Sequence, residues 1–99
     1  MASYYQRVKR TSGYTIMSNY HLRDMNLSLK ASGLLSLVLS LPEDWQYSVK
    51  GLTAIVKEGE SAVKSALQEL EQHGYLRRTE IRTESGKFQG LEYIFLEYP

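Results

Sequence analysis

Two apolar stripes at helical spacing, separated by a break of three residues, constrain this chain more than any other feature. From Ser48 to Leu76 it reads SVKGLTAIVKEGESAVKSALQELEQHGYL. Val49, Leu52, Ile55 and Val56 sit at i, i+3, i+6 and i+7, so they share one helix face. Val63, Ala66, Leu67 and Leu70 form a second stripe of the same kind. Lys57, Glu58 and Gly59 interrupt the period, and Gly59 is expected to permit a tight turn. Ser48 can cap the first helix by accepting a backbone N–H of its first turn. The second helix is expected to begin near Glu60 and to close at Gly74 in the left-handed region, with His73 in its last turn. Two short helices joined this tightly must bury their stripes in a common core, which is the form of a helix-turn-helix.

The flanking sequence supplies that core. Ser28 is a further N-cap, opening LKASGLLSLVLSL. Ala31, Leu34, Leu35, Val38 and Leu41 follow helical spacing, and Leu37 widens the stripe. Pro42 ends this helix. Gly33 inside it weakens it by roughly 1 kcal/mol relative to alanine, and is read as permitting a close helix crossing. Ser18–Asn26 is expected to form a turn that lays Leu22 on the core. Tyr14–Met17 and Trp45–Tyr47 are candidates for short strands. After the last helix, Tyr75–Glu84 and Leu91–Tyr98 read as two strands, joined by a Glu84–Gly90 loop with a Ser85-Gly86 turn signal and a projecting tip. Either face of the last strand is open to being the buried one.

The expected fold class is therefore α+β: a winged helix-turn-helix with a three-helix core and a C-terminal β-hairpin wing. It occupies residues 14–99 and follows a basic N-terminal arm at residues 1–13. That arm carries Arg7, Lys9 and Arg10 and reads either as a solvated tail or as a DNA-contacting segment.

Charge qualifies the function. The net charge is only +1, but residues 1–50 hold six Lys/Arg against three acids, and residues 51–99 six against eight. Nucleic-acid binding would rest on local patches. With no cysteine there is neither a disulfide framework nor a thiolate metal site. The two histidines, His21 and His73, are far apart, and no phosphate loop or hydrolase motif occurs. The chain is expected to be no enzyme, to carry no cofactor or metal, and to be cytoplasmic. It shows no signal-peptide pattern and no apolar run long enough to span a bilayer.

The major groove admits one helix, braced by the helix before it. Ser61, Lys64, Ser65 and Gln68 share one face of the last helix, opposite its apolar stripe. Glutamine can pair bidentately with adenine, lysine can reach guanine or phosphate, and serine can serve either. The same residue types also suit an ordinary solvated face. Lys50 on the bracing helix is a candidate phosphate contact. Arg77, Arg78, Arg82 and Lys87 are candidates on the wing, with cross-strand ion pairing as the alternative. Glu60 sits well at the helix start but would repel phosphates. Glu69 and Glu71 are expected to point away from the groove.

Leu27–Leu52, with its L-x-L-K-A-x-G-L-L-x-x-x-L-S-L-P-x-D-W pattern, resembles the winged helix-turn-helix domains of bacterial phage and plasmid replication initiators, which are related to DnaD-type primosomal domains. ALQELEQHGYLRR at Ala66–Arg78 and SGKFQGLEY at Ser85–Tyr93 extend the resemblance, the former being common to many winged helices. The resemblance implies double-stranded DNA as partner and a role in replication initiation on a mobile element. It makes Glu60–His73 the recognition helix. A transcriptional regulator would use the same surface. A winged-helix protein-interaction module of a replication complex is the further alternative, with self-association through Tyr93 and Tyr98 or through the arm. The turn Val56-Lys57-Glu58-Gly59 departs from the hydrophobic-then-Ser/Thr turn of commoner winged helices. Proteins of this kind usually continue into a second domain, so the chain is expected to be either an excised domain or a short element-encoded protein.

Overall fold

The computed structural model describes Tyr4 and residues 12–99, and the candidates Arg7, Lys9 and Arg10 lie outside the described residues. A 3-10 turn at His21–Arg23 leads to helices α1 (Leu29–Leu39), α2 (Val49–Thr53) and α3 (Glu60–Gln72). Strands β1 (Leu76–Arg82) and β2 (Phe88–Phe95) follow as an antiparallel hairpin. Three helices followed by a hairpin packed against α3 is the expected α+β architecture, with a winged-helix-like element order.

Capping explains where the helices start. The Ser28 hydroxyl accepts the Ala31 N–H at 3.1 Å, and the Ser48 hydroxyl accepts the Gly51 N–H at 2.9 Å. From α1, Ala31, Leu34, Leu35 and Val38 enter the core, where they meet Leu52 of α2 and Val63, Ala66, Leu67 and Leu70 of α3. α3 runs antiparallel to α1. Glu69 accepts both the backbone N–H and the hydroxyl of Ser28, at 2.6 and 2.8 Å, and Lys30 Nζ donates to Ser65 Oγ at 2.8 Å.

Gly74 closes α3 with φ +84°. Its N–H reaches the Glu71 carbonyl at 3.2 Å, and the Tyr75 N–H reaches the Leu70 carbonyl at 2.9 Å, which together form a Schellman motif. That motif drives Tyr75 into the core, where its hydroxyl donates to Asp24 Oδ2 at 2.6 Å. The Leu96 N–H bonds the Tyr75 carbonyl at 2.8 Å and starts the hairpin ladder. Alternation from that bond makes Arg78 and Tyr93 a non-hydrogen-bonded pair, with side chains close together. Leu76, Arg78, Glu80 and Arg82 then share the face turned towards the core, and Arg77, Thr79 and Ile81 take the other. Phe95 and Tyr93 are on the inward face of β2, which settles the choice that the sequence left open.

Several local expectations are corrected. Tyr14–Met17 and Trp45–Tyr47 form no strand. Trp45 is held by a turn, its N–H on the Pro42 carbonyl at 3.0 Å. Tyr47 joins the hairpin through its ring, 4.9 Å from that of Phe95, and not through a ladder. Leu22 is 53% exposed, and His21 fills the core in its place. Helix α2 stops at Thr53, whose hydroxyl donates to the Val49 carbonyl, so Ile55 falls beyond it and is 40% exposed. A Cβ on Gly33 would meet nothing within 4 Å, so among the described residues no helix crosses there. Gly59 has an ordinary φ of −80° and serves as the N-cap of α3. The last strand starts at Phe88, three residues earlier than expected. A bulge between Ile81 and Arg82, with Gly90 at φ +155°, absorbs the extra residue. The connection is thus shortened to residues 83–87, where Gly86 (φ +84°) donates to the Thr83 carbonyl at 2.8 Å.

Candidate nucleic-acid interface

Ser61, Lys64, Ser65 and Gln68 are all exposed on α3, opposite the buried Val63, Ala66, Leu67 and Leu70. Their surroundings differ. Lys64 Nζ lies 3.0 Å from Glu60 Oε1 one helical turn earlier. Both side chains are well exposed, so the pair contributes only about 0.2–1 kcal/mol and a phosphate can displace it. The Ser65 hydroxyl is held by Lys30 of α1. That contact brings a cation to the flank of the face, which the sequence reading did not find. It depends on the crossing of α1 and α3, and no local pattern in LSLKASG announces it.

The acids further along α3 are turned away from this face. Glu69 caps α1 through Ser28, whose backbone N–H holds the carboxyl below its ordinary range. Glu71 accepts from Arg78 Nη2 at 2.5 Å, and that bond lowers its pKa.

The wing candidates divide into two groups. Arg78 lies between α3 and the sheet, with its guanidinium 5.6 Å from the centre of the Tyr93 ring and bonded to Glu71. The hydrogen bond to Glu71 raises its pKa. Arg82 bonds Glu80 at 2.5 Å and the Gly86 carbonyl at 3.0 Å, which ties it to the hairpin turn. Arg77 is exposed on the outward face, and Lys87 is exposed beside the turn, its N–H on Thr83 Oγ1 at 3.1 Å. Lys50 is exposed on α2. Among the described residues Lys30, Lys50, Arg77 and Lys87 form no ion pair.

Comparison with protein families, with curated proteins and with solved structures finds no match for this chain. Among the described residues no helix is long and apolar enough to cross a membrane, and no group of three or more His, Asp or Glu is placed to hold a metal ion.

Proposed function

We propose that this chain binds duplex DNA, with α3 entering the major groove and the hairpin lying along the flanking backbone. The observation that carries the reading is the polar face of α3, Ser61, Lys64, Ser65 and Gln68, standing clear of the core on a helix braced by α2. Gln68 and Lys64 read base edges, and Ser61 and Ser65 allow close approach. Lys30, Lys50, Arg77 and Lys87 neutralise phosphates around that face. Arg78 and Arg82 are assigned to holding the wing and not to the DNA. Resemblance of the α1–α2 sequence to replication initiators of phages and plasmids makes an origin of a mobile element the target of choice. An operator read by a transcriptional regulator would engage the same side chains.

The test is titration of a fluorescent duplex pool at about 50 mM and about 200 mM salt. Binding that weakens steeply with salt, and weakens further in Lys64→Ala while the unfolding curve stays in place, is the expected result. Absence of binding to any duplex at the lower salt would refute the proposal.

A further inference from the structure

Beside the reading face, α1 and α3 leave an open groove of about 460 Å³. Leu29, Gly33 and Leu37, spaced i, i+4 and i+8, line one wall, and Val56, Ala62 and Ala66 line the other. Leu29 is 93% exposed, an apolar side chain standing free at the rim. The glycine in mid-groove leaves room for a backbone to approach, since a Cβ there would meet nothing within 4 Å.

The rim is charged, and the signs are ordered. Lys30 marks one end, where it touches Ser65. Glu58, just before α3, marks the other end, because α1 and α3 run antiparallel. Among the described residues neither has an opposite charge within ion-pair distance.

We infer that this groove is a self-association surface, receiving α1 of a second copy of the same chain about a twofold axis near Gly33. A twofold contact is isologous, so whatever one copy presents must complement itself. This groove meets that condition. The rotation carries Leu29 of each copy into the groove of the other and sets Lys30 of each against Glu58 of the other. A foreign helix would need a base and an acid at matching ends, and the chain supplies both itself. The surface lies apart from Tyr93 and Tyr98. One helix in one groove lies at the low end of interface sizes, about 1,200 Å² or less, so the association is concentration-dependent. The inference does not rest on DNA binding.

Sedimentation equilibrium of the full chain without DNA tests it through charge reversal. The wild-type chain is expected to move from one copy to two as concentration rises. Lys30→Glu and Glu58→Lys each turn two attractive contacts into repulsive ones and should weaken association by about tenfold. An equimolar mixture of the two variants restores both attractions and should associate again, as should the double variant. Leu29→Glu should abolish association, and circular dichroism should show its fold intact, since Leu29 touches little. A wild-type chain that stays monomeric throughout overturns the inference. So does association that survives Leu29→Glu, or single reversals that the mixture fails to rescue.

Discussion

Arg78 separates a wing strut from a phosphate contact, and Arg78→Ala decides between them. Its guanidinium makes a charge-assisted bond to Glu71 at 2.5 Å and lies over the Tyr93 ring at 5.6 Å. Such a hydrogen bond contributes about 1.5–3 kcal/mol and such a ring contact about 0.5–1 kcal/mol. The side chains of Arg78 and Glu71 are 22% and 33% exposed, which favours the lower ends. Alanine should therefore destabilise the fold by about 2 kcal/mol, a fall in urea midpoint of roughly 2 M at a slope near 1 kcal/mol/M. The deficit should depend on pH. Arg78 holds the Glu71 carboxyl below its ordinary 4.5, so the pair stabilises above that pH and is lost as pH falls through the lower folded value. The wild-type and Arg78→Ala midpoints should converge on acidification.

The same variant should leave the salt dependence of duplex binding unchanged. If Lys30, Lys50, Arg77 and Lys87 each neutralise one phosphate, the logarithmic slope is about −3.6, or about 150-fold in affinity across a fourfold rise in salt. A phosphate-contacting Arg78 would remove about 0.9 from that slope. An unchanged urea midpoint together with a slope shallower by that amount would refute the assignment of Arg78 as a strut.

Three further outcomes follow from the same contacts. Glu60→Gln frees Lys64 and removes an anion facing phosphate, so duplex affinity at low salt should rise several-fold while stability falls by about 0.3–1 kcal/mol from the lost helix-dipole contact; fluorescence titration and urea unfolding read the two effects. Ser28→Ala removes the α1 cap and one donor to Glu69, which should cost about 1 kcal/mol. The Ser28 backbone N–H, which alanine keeps, lowers the Glu69 pKa most and the hydroxyl adds to it, so only the hydroxyl's part of that loss should fade as unfolding is measured at lower pH. His21 is held below its ordinary 6.5 by burial, against a smaller pull from Glu97. The folded chain thus binds its proton less readily than the unfolded chain, and stability should drop as pH falls below 6.5; His21→Phe should flatten that drop in urea midpoints taken from about pH 7.5 to 5.5.

What the sequence made legible is what local rules control. Ser28, Ser48 and Gly74 mark helix ends through bonds to residues within five positions, and all three do so in the structure. The stripe of α3 is correct at every position, since a long amphipathic helix on a core has one way to turn. The failures belong to tertiary competition. Ile55 continues a helical period, but α2 ends before it because the connection to α3 needs those residues. His21 displaces Leu22 because its ring finds Ser36 Oγ at 2.9 Å, a partner fifteen residues away. Trp45–Tyr47 has strand-forming residues, yet the Pro42 turn and the packing of Tyr47 on Phe95 and Tyr93 hold it against the sheet by side chains instead. The α3 face was read from spacing alone, whereas Lys30 was invisible because only the antiparallel crossing carries it to Ser65.

Pairing also changes what the acid-rich second half means. Counted by sequence, residues 51–99 hold eight acids against six bases and look unsuited to a polyanion. Counted in space, Glu69 is spent on capping α1, Glu71 on Arg78 and Glu80 on Arg82, all turned from the outer face of α3. Those carboxylates build the scaffold that holds the wing against the helix. Two arginines are committed in the same pairs, so the field at α3 depends on the cations left over and on Glu60 alone among the acids of that helix. A chain of net charge +1 can then present a basic surface over one helix, but a shallow one. If α3 reads DNA, such a surface favours binding that is weak and falls steeply as salt rises.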